Sequence, residues 1–256
     1  QIVVCVKSVV TRATGAKIVR SPELSELNSF DRPVITAALE LRDLHGGQVT
    51  ALTMGPPDTG SEALREALAL GVDRAVLVSD PALGGADTLA TSTALAAALG
   101  KMVPFDLVLF GTRTSDSDTG HVGIQTAVQA GLPLVTYASA VEQVAGGVKV
   151  KRTVDGFEEQ WSVALPAALT MHPQAARPGD VPLQGLQRAF AEGEIASLDL
   201  AAIGLSPDQV GDAGSGTRLL TMNRVQTKRQ CDFIEGTVDE QVDLLVERLQ
   251  KQGLVG

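Results

Sequence analysis

Directly after the apolar run FDLVLF, residues 111 to 123 read GTRTSDSDTGHVG, and a segment with helical spacing follows. Amides at a helix start, spaced by Gly120 and Gly123, can cradle phosphate oxygens with help from the helix dipole. Thr119 adds a hydroxyl at the same place. Asp116 and Asp118 do not suit that work, since two carboxylates repel a bare phosphate. Ribose or adenine donors, the helix start, or the loop's own amides are the partners open to them. An acidic surface turn that only caps a helix would read the same way, so the loop points to a nucleotide without settling it.

Other chemistries find no residues. His45, His121 and His172 are scattered, and no Cys-x-x-Cys or His-x-x-x-His spacing offers a metal site. Gly-x-Ser-x-Gly and Gly-x-x-x-x-Gly-Lys are absent, and no catalytic acid, base or nucleophile is expected on this chain. Cys5 and Cys231 lie far apart and read as reduced thiols of a cytoplasmic protein, Cys5 as core packing. The formal net charge of −9 disfavours nucleic acid, whose binding rests on phosphate neutralisation, and 3% aromatics disfavour base stacking. The apolar runs are too short for membrane insertion, and the chain does not open on a secretion signal.

Strands alternating with helices must position the loop. Strand patterns fall at 2–6, 48–54, 75–79 and 105–110. Helical patterns fall at 33–44, at 61–70 with Ser61 as cap, at 87–100 with Asp87 as cap, and at about 120–131. Short strands buried on both faces and separated by helices predict a parallel sheet in an α/β, Rossmann-like domain. Gly146-Gly147 and Asp155-Gly156 then punctuate alternating apolar residues, which predicts a three-stranded antiparallel meander before one more strand at 167–171. HPQAARPGDVPLQG closes the compact domain, placed at 1–184. Residues 185–256 are expected to form an extended arm. It ends in an amphipathic helix at 238–253, whose Val242, Leu245, Val246 and Leu249 need a surface to cover them, on this domain or on a partner subunit.

These segments resemble the beta subunit of electron transfer flavoproteins over nearly the whole chain. The likeness begins at VVCVKSVV and runs through ELNSFDRPVITAALELRD, VTALTMGPPDTGSEALREALALGVDRAVLVSD, GGADTLATSTALAAAL, DLVLFGTRTSDSDTGHVG and LPAALTM. It resumes at AAIGLSPDQVGDAGSGTRLL and ends with FIEGTVDEQVDLLVERL. The resemblance implies that residues 119–123 (Thr119, Gly120, His121, Val122 and Gly123) hold the phosphates of an adenine nucleotide. It implies that Cys5, Val6 and Lys7 line the adenine side, with Asn28 in the following loop and Thr53 and Met54 at the next strand end. Lys7 is equally open to steering phosphates or to a surface ion pair. A partner is implied as well: an alpha subunit carrying FAD near the interface, onto which the C-terminal arm wraps.

Two branches of that family differ in the cleft, AMP in a structural role in one, and in the other FAD that oxidises NADH and bifurcates its electrons. Asp118 to Gly123 is similar to the Asp-Thr-Ala-Gln-Val-Gly of the second branch, and less like the Asn-Gln-Thr-Gly of the first. The stretch 85–99 leans the same way. Gly84, Gly85 and Ala86 leave room at a strand end, and beside Asp87 the hydroxyls of Thr88 and Thr91 can meet a flavin ring that AMP lacks; both can also be plain helix-start residues. FAD is therefore the expected cofactor with NADH as donor, and AMP the alternative. An adenine-nucleotide-binding signalling module on a similar fold would need neither the arm nor an alpha subunit, and the arm and the meander speak against it.

Some positions depart from the family. His121 replaces a glutamine, and its imidazole can still donate a hydrogen bond. Gly111, Thr112 and Arg113 replace Gly-Lys-Gln or Gly-Arg-Gln, and Arg113 can still reach a flavin or a phosphate. HPQAARPGD replaces Asn-Glu-Pro-Arg-Tyr. The basic loop that grips acyl-CoA dehydrogenases in the family here carries Glu192 and Glu194. With Leu183 as its anchoring leucine, its surroundings suit a different acceptor or donor; the redox partner expected is an acyl-CoA or other flavin dehydrogenase or a quinone-linked oxidoreductase.

Overall fold

The computed structural model describes residues 1–10, 21–218, 220–221 and 231–255. Two compact units divide the chain, Gln1–Met222 and Asn223–Gly256. The first unit opens with β1 (Ile2–Cys5), the hairpin strands β2 (Ser8–Val10) and β3 (Ser25–Leu27), and α1 (Arg32–His45). There follow β4 (Val49–Met54), α2 (Pro57–Leu70), β5 (Arg74–Val78), α3 (Thr88–Lys101), β6 (Leu107–Gly111) and α4 (Val122–Gln129). The meander is β7 (Leu134–Val144), β8 (Gly147–Val154) and β9 (Phe157–Ala164), and β10 (Ala167–Met171) returns to the centre.

Except for β2 and β3, which pair with each other, these strands belong to one nine-stranded sheet, with β5, β4, β1, β6, β10 and β7 side by side and parallel where they pair. The meander is antiparallel and extends the sheet past β7. Alternation along β1 explains the two cores. Val4 and Val6 face the side covered by α1 and α2, while Val3 and Cys5 face the side covered by α3. A chain that first winds to one side of β1 and then crosses to β6 makes a switch point there, the usual place for a ligand in an open α/β sheet.

Two expected bounds shift. Helix α2 begins at Pro57 rather than after Ser61, because a proline at the first helical position has its φ already set and no amide bond to lose. The stretch from 185 onward, expected to be extended, is folded as far as the described residues of the first unit run. It forms α5 (Leu183–Ala191), β11 (Ile195–Leu198), α6 (Leu200–Ile203) and α7 (Gly211–Gly214). Strand β11 pairs in parallel with β5 and becomes the edge of the sheet. Helix α5 packs on α2 through Gly185, where a Cβ would collide with the carbonyl of Ala69. Gly185 and Ala189 are its buried residues, while the larger Leu183, Leu186 and Phe190 are exposed. Residues 222–230 of the expected arm lie outside the described residues.

In the second unit, α8 (Val238–Lys251) is opened by a capping box of Thr237 and Glu240. Val242, Leu245 and Val246 are exposed on it. Among the described residues no helix is long and apolar enough to cross a membrane.

Candidate nucleotide site

A cleft of about 1060 Å³ lies across the carboxyl ends of β5, β4, β1 and β6. Cys5, Val6 and Lys7 line it at the end of β1, Met54 and Gly55 at the end of β4, and Gly111 to Thr114 at the end of β6. The Cys5 thiol is packed in the core, and burial pushes its pKa well above the usual thiol range, with Asp31 adding to the effect. It contributes shape here and no reactivity.

The loop after β6 is pinned by residues far away in sequence. Asn28 is fully buried; its side-chain amide donates to the carbonyl of Arg113 at 3.0 Å, and its carbonyl accepts the Ser115 amide at 3.2 Å. It therefore shapes the loop and does not line the cleft. Lys7 donates from Nζ to Asp116 Oδ1 at 2.7 Å and to Ser117 Oγ at 3.1 Å. Burial pushes the Asp116 carboxyl up, but the Lys7 hydrogen bond and charge outweigh it and hold it below the usual range. Arg113 stacks on the Phe30 ring at 4.8 Å and sits 3.5 Å from Asp118. Each acidic residue of the loop thus has its own cation, and neither caps α4.

No side chain caps α4 at all. Among the described residues the amides of His121, Val122 and Gly123 have no partner within the chain, and all three residues line the cleft with Thr119 and Gly120. Free amides at a helix N-terminus are what an anion needs. The glycines make this approach possible. Gly120 has φ +65°, and a Cβ on Gly123 would come within 2.9 Å of the Phe110 ring, so α4 could not pack so close to β6. Of the expected residues here, only Asp118 does not line the cleft.

At the opposite end Thr88 and Thr91 line the cleft on the first turn of α3, beside Gly84, Gly85 and Ala86. Asp87 also lines it, but its carboxylate is already occupied. Oδ1 accepts the Ala90 amide at 2.9 Å, and Oδ2 accepts the amide and hydroxyl of Thr217 at 3.0 and 2.7 Å. Those bonds, the Ala90 amide foremost, hold the carboxyl down at about 2. Thr53 is buried and turned away, its hydroxyl donating to the Val6 carbonyl at 2.7 Å. Leu183 lies outside the cleft, exposed at the start of α5.

Sequence reasoning missed three contributors. Asp31, buried beside β1, accepts the Lys7 amide at 2.8 Å; burial pushes its carboxyl up to about 7, against the pull of Lys7 and Asn28. Its signal was an acid set between Phe30 and Arg32 just where α1 starts. Thr59 lies in the cleft wall with a buried hydroxyl that has no hydrogen-bond partner among the described residues. Thr217 reaches the wall from far downstream, and nothing local to it marks it.

Comparison with known proteins gives a consistent result. The electron transfer flavoprotein domain family matches residues 16–203. The chain is 36% identical over 264 residues to caffeyl-CoA reductase-Etf complex subunit CarD of Acetobacterium woodii, covering all of both chains. It is 33% identical over 238 residues to the electron transfer flavoprotein subunit beta of Thermoanaerobacterium thermosaccharolyticum, covering 93% of this chain and 91% of that one. It is 32% identical over 270 residues to the acryloyl-CoA reductase electron transfer subunit gamma of Anaerotignum propionicum, again covering all of both. With the whole length matched and a large cleft at the switch point, this chain belongs to the electron transfer flavoprotein family, as a beta subunit.

Proposed function

We propose that this beta subunit holds FAD in the cleft, oxidises NADH there and passes the electrons on through an alpha subunit, parting them between two routes. The observation that carries the reading is the reach of the cleft. It runs from the uncapped start of α4 to the Thr88 and Thr91 hydroxyls on α3, with about 1060 Å³ of space, the upper end of what small-molecule sites span. A mononucleotide seated on α4 would leave the α3 end unused. The residues fit the larger group: free amides for a pyrophosphate, small residues at 84–86, and hydroxyls for a polar ring edge.

FAD, when bound, supplies the hydride-accepting ring. The chain's own residues do the rest. The amides of 121–123 take up phosphate charge, and Lys7 and Arg113 cancel the acids beside it. Phe110, Leu83 and Leu95 give the cleft an apolar lining that excludes water from the ring. Thr88 and Thr91 fix the ring's orientation.

The exposed face of α8 is the surface offered to the alpha subunit, in the cytoplasm. The exposed Leu183, Leu186 and Phe190 of α5 are the surface offered to a flavin dehydrogenase or quinone-linked acceptor. Anaerobic NADH titration of the alpha–beta pair tests the reading. Bleaching of a flavin that is lost or slowed at least tenfold in Thr88→Val/Thr91→Val supports it. A flavin that NADH does not bleach sinks it.

A further inference from the structure

The loop between β5 and α3, residues 79–87, forms one wall of the cleft, and it is held by more than its own neighbours in sequence. Asp80 and Asp87 stand at its two ends, and both are gripped from more than a hundred residues downstream. Asp80 Oδ1 accepts the Ala82 amide at 2.9 Å, and Oδ2 accepts the Leu200 amide at 3.3 Å. The Asp87 amide donates to Ser215 Oγ at 2.8 Å, while Thr217 closes on the Asp87 carboxylate. Ser215 is itself fixed, donating to the Gly211 carbonyl.

Between the two aspartates the backbones interlock. The Asp212 amide donates to the Gly84 carbonyl at 2.9 Å. A Cβ on Gly211 would collide with the Ala82 carbonyl and come within 2.8 Å of that of Gly84. Gly85, at φ +76°, lies against Asp212 in turn, with 3.0 Å between its Cβ position and that of the aspartate. So close a fit allows no side chain on Gly211 and would strain one on Gly85. Gly84, Gly85, Thr88 and Thr217 all face the cleft. The clasping segment runs to Thr217, and the second unit begins six residues later, at Asn223.

We propose that residues 211–217 are a latch on the nucleotide cleft, closed by Asp87 and stabilised by a ligand that reaches helix α3. Asp87 is a positioning residue here: it holds the first turn of α3, and with it Thr88 and Thr91, against the segment that leads the chain out of the first unit. A ligand touching that turn favours the latched state by its differential affinity for it, and the coupling is reciprocal. A ligand confined to α4 and the ends of β1 and β4 touches neither partner of the latch and leaves it unchanged. The latch therefore reports whether the α3 end is filled, and passes that to the point where the arm departs. The inference rests on the proposed seat of FAD.

Hydrogen exchange on the full chain with its alpha subunit, loaded with FAD, with AMP, or with neither, tests it. FAD should slow exchange at the Gly216 and Thr217 amides at least tenfold, and AMP less than twofold. Ser215→Ala/Thr217→Val, which leaves the Asp87 cap on α3 intact, should weaken FAD about tenfold and AMP much less. Asp87→Asn, which retains a capping side chain, should fall between that variant and Asp87→Ala. Equal protection by both nucleotides, or equal weakening of both, overturns the latch and leaves the seat of FAD standing. A wild-type cleft that retains neither nucleotide overturns that seat, and the latch with it.

Discussion

Lys7 Nζ lies 2.7 Å from Asp116 Oδ1, across 109 residues of sequence. This pair explains how a loop carrying two aspartates can serve an anionic ligand. Asp116 is largely shielded from solvent, so without Lys7 its charge would face the phosphates uncompensated. Lys7→Met is expected to weaken adenine-nucleotide binding about tenfold, and adding Asp116→Asn should recover most of that loss. Isothermal titration of the three proteins checks it; a double variant as weak as the single one would assign Lys7 a direct contact with phosphate instead.

Much of this arrangement was legible in the sequence. The strand–helix alternation marks a parallel sheet, and the Gly120–Gly123 spacing marks the start of α4. Asp87 reads as a cap because it precedes a run of small helix formers. What was not legible depends on distant partners. Nothing local shows that Asn28 staples the 113–115 backbone, that Thr53 turns to the Val6 carbonyl, or that β11 will find the β5 edge. Short elements such as β11 and α7 carry too few residues for a period, and tertiary pairing decides them.

Asp31 gives the protein a pH dependence of definite sign. Its carboxyl stands at about 7 in the folded chain, against about 4 when unfolded. Between those values the folded chain binds the extra proton, so this contribution to stability is fully present below about pH 4 and is lost as pH rises through about 7. Urea melts of nucleotide-free protein should show wild type losing stability relative to Asp31→Asn between pH 5 and 8. A difference that stays constant over that range would contradict the buried carboxyl.

Gly111 is required by the same carboxylate. A Cβ there would collide with Asp31 Oδ1 and come within 3.1 Å of the Phe30 carbonyl. Gly111→Ala is expected to cost about 2 kcal/mol, as overpacking in a filled interior does. Combined with Asp31→Ala, the two losses should fall short of additive by more than about 0.5 kcal/mol. Denaturant unfolding of the four-protein cycle measures this.

Thr59 offers the opposite sign. Its buried hydroxyl has no partner, and desolvation of such a group costs on the order of 1 kcal/mol or more. Thr59→Val should therefore raise the stability of the nucleotide-free protein by about 1 kcal/mol. A thermal melt that moves down instead would show that the hydroxyl finds a partner in the folded chain.

The proposed function requires a second flavin in this cleft. Denaturing the purified alpha–beta pair and quantifying the released nucleotides tests it most directly. Two FAD and no AMP per pair are expected. One FAD and one AMP would contradict it, and would make this chain a structural scaffold for the flavin of its partner.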